Sequence, residues 1–490
     1  MEHEPGDSAY DEVPYPCLVH AAAHPRHLGA LGALFGVRVA APARARVLEL
    51  GCASATQLIA FAFAHPEAEC VGVDASARQI ADGRARVAQL GLTNVSLVCK
   101  VFGAWDADAA PATFDYVIAH GVLSWVGPAT QDELLAIIRR RLAPSGLAYL
   151  SFNAMPGWTF GTLVRDLMWR ATAGATPGTR AREGRNWLAR AARDAEAGTL
   201  LSATFIAESA HITDHDDAYL EHEYFEAEHH PFWLADVVSR ARAHGLAYVT
   251  DADPTLVLPS TQVPSVQRAV GAIADPVACQ QAIDALTNTR FRRAILTHAV
   301  AADALGLTLA PATLARLHLA LPPERALRDG AISATPTVCD GRGTPLPLRD
   351  RALVDALVAL RAAWPASLPV TELVPDLDAE TPASRALVGA LVGLVFAGTL
   401  APTLAPVSPR GGAIPERPRV SPLVLAQAAA GEPIASHWFI SQTIGDPVRR
   451  LVLGLDGTRT PTELATLSGL PVGDVVLRLE ALLGLGFLER

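Results

Sequence analysis

The sequence predicts an α/β fold around a parallel sheet, and three neighbouring features support this prediction. A short apolar run at 47–50 has the character of a strand buried in a parallel sheet. A turn of small residues at 51–55 follows, and then an apolar helical segment at about 56–64. A second apolar run, at 70–73, ends in Asp74. A βαβ unit with a small-residue turn and an acid about 20 residues later is typical of nucleotide-binding sheets.

Alternating patterns extend this unit through the first 300 residues. Further strands are predicted at 95–99, 114–119, 146–152, 246–250 and 290–298, and the principal helices at 25–35, 75–90, 131–142 and 232–244. Two mostly helical stretches, 159–230 and 254–289, interrupt the alternation of strands and helices. We interpret both as insertions at the carboxyl edge of the sheet, where they would shape a substrate pocket.

The last 190 residues differ in pattern. Two sets of three short helices, each followed by a short strand, indicate two winged-helix-like units that flank a Pro/Gly-rich linker. Their helices carry few basic residues, so docking to protein is favoured over binding to DNA. The predicted domains are an N-terminal arm or lid (1–45), a core (46–158), the insertions with completion of the sheet (159–300), a winged-helix-like domain (301–405), a linker (406–420) and a second winged-helix-like unit (421–490).

Composition restricts the class of protein. The chain has 490 residues, half of them hydrophobic, which is enough for two to four domains with substantial cores. Its formal charge of −10 argues against nucleic acid as a partner and is compatible with a cationic substrate. Six scattered cysteines without CxxC pairs favour reduced thiols and a cytoplasmic location. The apolar run 386–402 contains three glycines and is interpreted as a buried helix, so no membrane association is expected.

Several motifs together indicate a family. They are YDEVPYP at 10–16, ELGCAS at 49–54, FDYVIAHGVLSWV at 114–126, NAMPGW at 153–158, YLEHEYFEAEHHPFW at 219–233 and TRFRRAILTH at 289–298. With these motifs the chain resembles bacterial class I S-adenosyl-L-methionine (SAM)-dependent methyltransferases that carry a methyltransferase regulatory domain. Within that family it is similar to protein-lysine methyltransferases that act on outer-membrane proteins. The resemblance implies a Rossmann-like methyltransferase core with SAM as the cofactor.

The resemblance implies roles for Glu49, Gly51 and Asp74 at the cofactor and for His120, Trp125, Asn153 and Trp158 at the transfer site, and the residue pattern adds the other candidates. The residues expected to contact the cofactor are Glu49, Gly51, Ala53, Asp74, Ala119 and, from the N-terminal arm, Tyr10. The residues expected to line the transfer site are His120 and Asn153 as catalytic groups, with Trp125, Trp158, Glu221, Glu223 and Tyr224 as substrate-binding groups. Plain core packing remains an alternative for the tryptophans, and local backbone bonding remains an alternative for His120. Packing on the sheet edge remains an alternative for the N-terminal arm, and local hydrogen bonding or salt bridging remains one for Glu221 and Glu223.

The chemistry expected at this site is an in-line displacement that needs alignment and a dry pocket. A lysine acceptor must arrive neutral, although its free amine has a pKa of about 10.4. Trp125 and Trp158 are candidates to hold a cation over their rings. The acidic and histidine-rich stretch 214–230 invites a metal interpretation. Its consecutive Glu-His-Glu cannot all face one point of a helix, and we predict no metal.

Four departures from the family pattern are of two kinds. Left-handed strain at Ala55 and a missing acid near Val101 would weaken cofactor binding, whereas the missing tyrosines at Leu123 and Met155 leave the acceptor open. Ala55 stands in a glycine-rich turn, Val101 near the expected position of an acid, and Leu123 and Met155 at expected tyrosines. The first hypothesis is methylation of a protein lysine. The alternatives are a small-molecule N- or O-methyltransferase and a catalytically degenerate relative that binds a partner. A homodimer is compatible with each hypothesis.

Overall fold

The computed structural model describes residues 18–109, 112–300, 305–325, 337–407 and 413–489. Tyr10 and the rest of the YDEVPYP motif lie outside the described residues, as does part of the predicted linker. The roles predicted for this motif therefore stay predictions.

The core is a seven-stranded sheet in the order β3-β2-β1-β4-β5-β7-β6. The strands are β1 (Arg46–Leu50), β2 (Glu69–Asp74), β3 (Val95–Cys99), β4 (Phe114–Ala119), β5 (Leu142–Asn153), β6 (Leu246–Asp251) and β7 (Phe291–His298). Strand β7 runs antiparallel to both its neighbours, β5 and β6, and the other adjacent pairs in the sheet are parallel. The predicted α/β Rossmann-like fold is confirmed. Strand β5 begins four residues before the predicted position 146, because Leu142 pairs with Phe114 ahead of a register shift.

Helices cover both faces of this sheet, which explains why its central strands are apolar on both sides. The helices of the core and its N-terminal flank are α1 (Pro25–Leu34), α2 (Thr56–Ala64), α3 (Ala77–Gln89), α4 (Phe102–Asp108), α5 (Pro128–Arg141) and α10 (Leu234–Ala243). Helix α3 begins where the Ser76 hydroxyl accepts from the N–H of Gln79, and α5 begins with Pro128 at its first position. Helices α1 and α2 pack on one face of the sheet, and α5 and α10 pack on the other.

The first insertion forms a helical layer with a core of its own. Its helices are α6 (Thr159–Ala171), α7 (Pro177–Asp194), α8 (Leu200–Ile212) and α9 (Asp217–Phe225). They bury a cluster that includes Trp158, Met168, Leu188 and Tyr224. This agrees with the predicted helical character of 159–230, and Trp158 joins the layer to the end of β5.

The second insertion, with α11 (Pro264–Val270) and α12 (Pro276–Thr287), connects β6 to β7. Helix α12 is tied to β7 by Arg292, whose side chain is fully buried. Its Nη2 and Nε donate to the Asp284 carboxylate at 2.7 and 3.0 Å, and its Nη1 donates to Asp251 at 3.2 Å. A buried guanidinium needs such partners, because an unpaired charge in the interior is strongly unfavourable.

We expect Asp284→Asn to destabilise the protein by about 1–3 kcal/mol, because Asp251 still balances the charge of Arg292 but the Nε and Nη2 donors lose their charged acceptor inside the protein. Urea unfolding followed by circular dichroism measures the effect. The matched control is Asp355→Asn, which removes a carboxylate from the exposed pair with Arg351. That control should change stability by no more than about 0.5 kcal/mol. Equal stability of the two variants would contradict the expected role of Asp284.

The C-terminal half contains two smaller units. The first has a sheet in the order β11-β8-β12, formed by Leu368–Pro369, His318–Ala320 and Ala401–Thr403. It also has a hairpin of β9 (Thr337–Cys339) and β10 (Pro345–Pro347). Its helices are α13 (Pro311–Leu314), α14 (Arg351–Ala363), α15 (Val370–Leu373) and α16 (Pro382–Phe396). The second pairs β13 (Arg419–Val420) with β16 (Leu488–Glu489) and β14 (Ile434–Ala435) with β15 (Ser441–Gln442), around helices α17 (Pro422–Ala430), α18 (Asp446–Leu453), α19 (Pro461–Ser468) and α20 (Val472–Gly484).

The predicted helices of both units are present, whereas the winged-helix assignment and the domain boundaries stay predictions. The apolar run 386–402 divides into most of α16 and the start of β12. In the parts of the chain that the structure describes, no helix has the length and apolar character needed to cross a membrane.

Candidate active site

The strand order reverses direction at β1, which has β2 on one side and β4 on the other. Ligands of open α/β sheets bind at this point, outside the carboxyl ends of the strands. The loop 51–55 closes the end of β1 here, and Gly51 donates its N–H to Val73 O at 2.9 Å. Asp74 accepts from the N–H of Ala53 at 2.8 Å and from the N–H of Ser76 at 2.9 Å. These bonds hold the Asp74 carboxylate against the loop 51–55, and we call the crevice that the carboxylate and the loop line the candidate cofactor crevice.

Gly51 is required at its position for two reasons. Its φ of +74° lies in the left-handed region, and a Cβ there would be 2.5 Å from Val122 Cγ2. Ala53 and Ala55 are also left-handed, with φ of 50° and 58°. Each costs about 1–2 kcal/mol relative to glycine, so the strain expected at Ala55 is present and the surrounding fold offsets it.

The buried carboxyls test whether a cationic cofactor fits this crevice. Glu49 on β1 is 5% exposed, and its Oε2 has no hydrogen-bond partner among the described residues. Burial and the nearby Asp74 carboxylate raise the pKa of Glu49 to about 8. A cation bound beside the Glu49 carboxyl would offset this repulsion from Asp74 and favour the ionised form of Glu49. SAM carries an ammonium and a sulfonium, so Glu49 and Asp74 fit the cofactor.

His120 directly follows β4, where Ala119 ends the strand fully buried. Its Nδ1 lies 2.9 Å from Tyr149 Oη and 3.5 Å from Ser151 Oγ. Burial, followed by the nearby His20 and Arg293, holds the pKa of His120 well below its ordinary value. The imidazole is therefore neutral at pH 7 and has little affinity for a proton.

The segment 229–233 lies beside the end of β5 and completes a second group of side chains. Phe232 donates its N–H to Asn153 O at 2.8 Å, and Met155 donates its N–H to Phe232 O at 2.8 Å. In this register Asn153 Nδ2 lies 3.2 Å from His229 Nε2, and the same amide hydrogen-bonds the Glu223 carboxyl. Since the amide donates to both, His229 accepts at Nε2. Residues far apart in sequence thus meet at one amide.

Burial shifts the pKa values of the ionisable side chains in this second group. Burial raises the pKa of Glu223 to about 7, which places its titration close to neutral pH. Burial, followed by Arg165, lowers the pKa of His229 to about 3, so its ring is neutral. The Arg165 guanidinium also donates to the main-chain oxygen of Glu223 at 3.2 Å. The half-buried Glu223 can therefore gain or lose a proton, whereas His229 cannot.

Aromatic rings surround the same point. The His229 ring lies 5.1 Å from the Trp125 ring and 4.7 Å from the Trp158 ring, between centroids. The Arg290 guanidinium lies over the Trp158 ring at 4.5 Å and pairs with Glu208 at 2.6 Å. We call Trp125, Asn153, Trp158, Glu223 and His229 the acceptor cluster.

The predicted substrate residues do not all reach this cluster. Glu221 points to α7, where its carboxylate is 3.8 Å from Arg180 Nη1. Tyr224 packs 5.9 Å from the Trp158 ring, and its hydroxyl donates to Glu208 at 2.9 Å, so it supports the cluster from behind. Leu123 and Met155, at the two expected tyrosines, pack in apolar surroundings. Among the described residues, no group of three or more His, Cys, Asp or Glu side chains is arranged to hold a metal ion.

Sequence reasoning missed His20, Glu208, His229 and Arg290. Two of them lie inside recognised motifs, His229 in the stretch 219–233 and Arg290 in 289–298. Position within a motif was the available signal, but it carried no information about which side chains face β5. Nothing in the local sequence distinguishes Glu208 from other helical glutamates.

Two family models match the chain. A methyltransferase domain matches residues 48–148, which include the candidate cofactor crevice. A predicted methyltransferase regulatory domain matches residues 216–298, which include Glu223 and His229.

Similar proteins extend the comparison. An uncharacterized protein of Rickettsia prowazekii is 33% identical over 300 residues, which are 61% of this chain and 53% of that relative. The chain thus spans about half the length of this relative. A second uncharacterized protein of the same organism is 33% identical over 218 residues, which are 44% of this chain and 86% of that relative.

A solved structure shares the fold. PKMT2 from Rickettsia typhi in complex with AdoHcy superposes with a TM-score of 0.79 at 20% identity, covering 97% of this chain and 100% of that one. The matched domains and the second relative, of which the chain covers 86%, establish the family. The chain belongs to the class I SAM-dependent methyltransferases that carry a methyltransferase regulatory domain.

Proposed function

We propose that the chain transfers a methyl group to the side-chain amine of lysine in a protein or peptide. The observation that carries this proposal is Glu223, a half-buried carboxyl with a raised pKa inside an aromatic cluster. Lysine offers the matching chemistry, since its cationic amine needs a carboxylate for binding and an acceptor for its proton. The negative charge of the whole chain also favours the approach of a cationic substrate.

SAM, when bound, supplies an electrophilic methyl group. Glu49, Gly51 and Asp74 would hold SAM at the carboxyl end of β1. The two carboxyls, Glu49 and Asp74, suit its positive charge. The loop of small residues admits a ligand close to its backbone. The protein then contributes alignment and exclusion of water, which account for most of the rate enhancement of such displacements.

The acceptor cluster would prepare the amine. A free lysine amine is about one part in a thousand neutral near pH 7, because its pKa is about 10.4. A carboxylate at Glu223 with a pKa of about 7 would bind the ammonium and take up its proton. The amide of Asn153 orients that carboxylate, and the ring of Trp125 would border the cation. Trp158 is buried and already has the Arg290 guanidinium over its ring, so it supports the cluster by packing.

His120 is less suited to proton uptake than Glu223. The pKa of His120 is held well below its ordinary value, so an ammonium would not transfer its proton to this ring. Its hydrogen bond with Tyr149 instead fixes the ring beside the crevice. We assign His120 to shaping the path between cofactor and acceptor.

The test is incubation of the purified protein with SAM and paired peptides that differ only in carrying lysine, arginine or acetyl-lysine at one position. We expect mass spectrometry to show addition of methyl groups to the lysine peptides alone. Methylation of small amines or phenols without any on lysine peptides would overturn the lysine proposal in favour of a small-molecule acceptor. Absence of SAM binding by calorimetry would overturn the enzymatic proposal itself.

A further inference from the structure

His20, in the segment 18–24 that precedes α1, bridges the two sides of the candidate cofactor crevice. Its N–H donates to Gln57 Oε1 at 2.7 Å, and Gln57 lies in the first turn of α2, directly after the loop 51–55. Its ring stacks on the ring of His120 after β4, with centroids 3.8 Å apart. His20 therefore connects the β1 side of the crevice to the β4 side.

The C-terminal unit, residues 413–489, holds the residue next to His20. The N–H of Val19 donates to Ser441 Oγ at 2.9 Å, and the Ser441 hydroxyl donates back to Val19 O at 3.3 Å. These two bonds join residues 422 positions apart in the chain. A single serine thus satisfies both polar groups of the Val19 backbone and sets the position of the segment.

A second contact joins the same two regions. Arg26 donates to the main-chain oxygen of His437 at 2.7 Å, and its guanidinium lies 5.1 Å from the Trp438 ring. The His24 ring packs edge-on against Phe439 at 4.2 Å. Phe439 has a φ of +57°, a strained conformation for a residue with a side chain. The strained residue of the loop 436–441 thus lies at its contact with the N-terminal segment.

The loop is also tied to the preceding unit. Trp438 Nε1 donates to Pro365 O at 2.7 Å, and its ring stacks on Trp364 at 5.0 Å. The loop 436–441 is therefore the place where both C-terminal units and the N-terminal segment meet. Movement of the C-terminal unit would be transmitted to Val19 and His20.

We propose that the C-terminal unit controls cofactor binding by holding His20 across the crevice, with Ser441 as the positioning residue. This inference rests on the SAM site of the proposed function and adds a regulatory input to it. Release of Val19 frees the segment that carries His20, and the crevice then opens on its α2 side. A partner that shifts the loop 436–441 changes cofactor affinity without touching the crevice.

Calorimetry with S-adenosylhomocysteine tests the proposal on the full chain. We expect Ser441→Ala to bind about tenfold more weakly, since two backbone hydrogen bonds that favour the closed segment are lost. His20→Ala should bind more weakly as well. The double variant should be no weaker than His20→Ala alone, because Ser441 acts through His20. The matched control, Thr460→Ala, removes a helix cap in the same unit and should bind as the wild type does.

Unchanged affinity of Ser441→Ala, or additive losses in the double variant, would overturn the proposal. Amide hydrogen exchange provides a second measurement that needs no ligand. Exchange of the His20 amide, which is bonded to Gln57, should be about tenfold faster in Ser441→Ala than in the wild type. Equal exchange rates would overturn the proposed holding of His20 by Ser441, even if the wild type bound no S-adenosylhomocysteine. Faster exchange with no binding by the wild type would show that Ser441 holds the segment, but it would overturn both the control of cofactor binding and the proposed enzymatic function.

Discussion

Glu223→Gln is expected to slow methylation of a lysine peptide by about a hundredfold or more, which is the usual contribution of a positioned general base. Glutamine keeps the size of the side chain and its hydrogen bond with Asn153, but it cannot take up the proton of the ammonium. Single-turnover rates measured by mass spectrometry at saturating SAM isolate this effect. Binding of S-adenosylhomocysteine should be unchanged, since Glu223 belongs to the acceptor cluster and not to the crevice.

The pH dependence gives the same variant a sharper signature. Burial raises the pKa of Glu223 to about 7, so its carboxylate forms as the pH rises through 7 and is lost as the pH falls below it. Below pH 7, wild-type activity should therefore fall more steeply than the activity of Glu223→Gln. The difference between the two profiles should reach about tenfold per pH unit. Parallel profiles would exclude Glu223 as the titrating group.

The matched control is Glu226→Gln. Glu226 follows the same helix, but its carboxylate pairs with His222 at 2.9 Å and not with Asn153. We expect this variant to keep the rate of methyl transfer within about threefold of wild type, as for an ordinary change outside a site. A loss in Glu226→Gln equal to that in Glu223→Gln would indicate damage to the insertion and would contradict the assigned role.

Asp74→Asn is expected to weaken S-adenosylhomocysteine binding by about a hundredfold or more. The substitution removes the charge that faces the crevice and weakens the acceptor of the Ala53 and Ser76 N–H groups. A hydrogen bond from the ligand to a charged carboxylate contributes about 1.5–3 kcal/mol, and about 1.4 kcal/mol corresponds to tenfold in affinity, so loss of the charge together with a displaced loop predicts a reduction of this size. Isothermal calorimetry measures the change directly.

Asp115→Asn is the control for this effect. Asp115 accepts from the N–H of Arg46 at 2.8 Å, near the start of β4 and so at the amino edge of the same sheet. The Asp115→Asn variant also loses a carboxylate that accepts a backbone hydrogen bond, but this carboxylate lies at the edge of the sheet opposite the crevice. Its affinity should match that of the wild type. If the two variants bound equally well, the cofactor would not depend on Asp74.

The short-range pattern of apolar and polar residues was sufficient to predict the strands and helices of the core. The helix α2 was predicted with its observed bounds, and the strand ending in Asp74 was predicted to within one residue. The insertions were recognised because 159–230 interrupts the expected order of strand and helix. Such patterns are local, since burial on one helix face or on both faces of a strand leaves a periodic trace in sequence.

The acceptor cluster shows the limit of local pattern. Glu221 and Glu223 are equivalent in sequence terms, two acids on one short helix, and both were predicted to bind substrate. In the structure Glu223 faces Asn153, whereas Glu221 faces Arg180. Which side of α9 lies towards β5 depends on how the four helices of the insertion pack against the end of that strand. The spacing of residues along the chain contains no information about this packing.

The sequence by itself determined the α/β core, the small-residue turn with Asp74, the helical insertions and the family with its cofactor, because each depends on neighbouring residues or on a motif. Only the tertiary structure decided which side chains share the acceptor cluster and that His20 lies against His120. It alone placed Ser441 beside Val19. These contacts join segments up to 422 residues apart, and their geometry is set by packing of whole elements against one another.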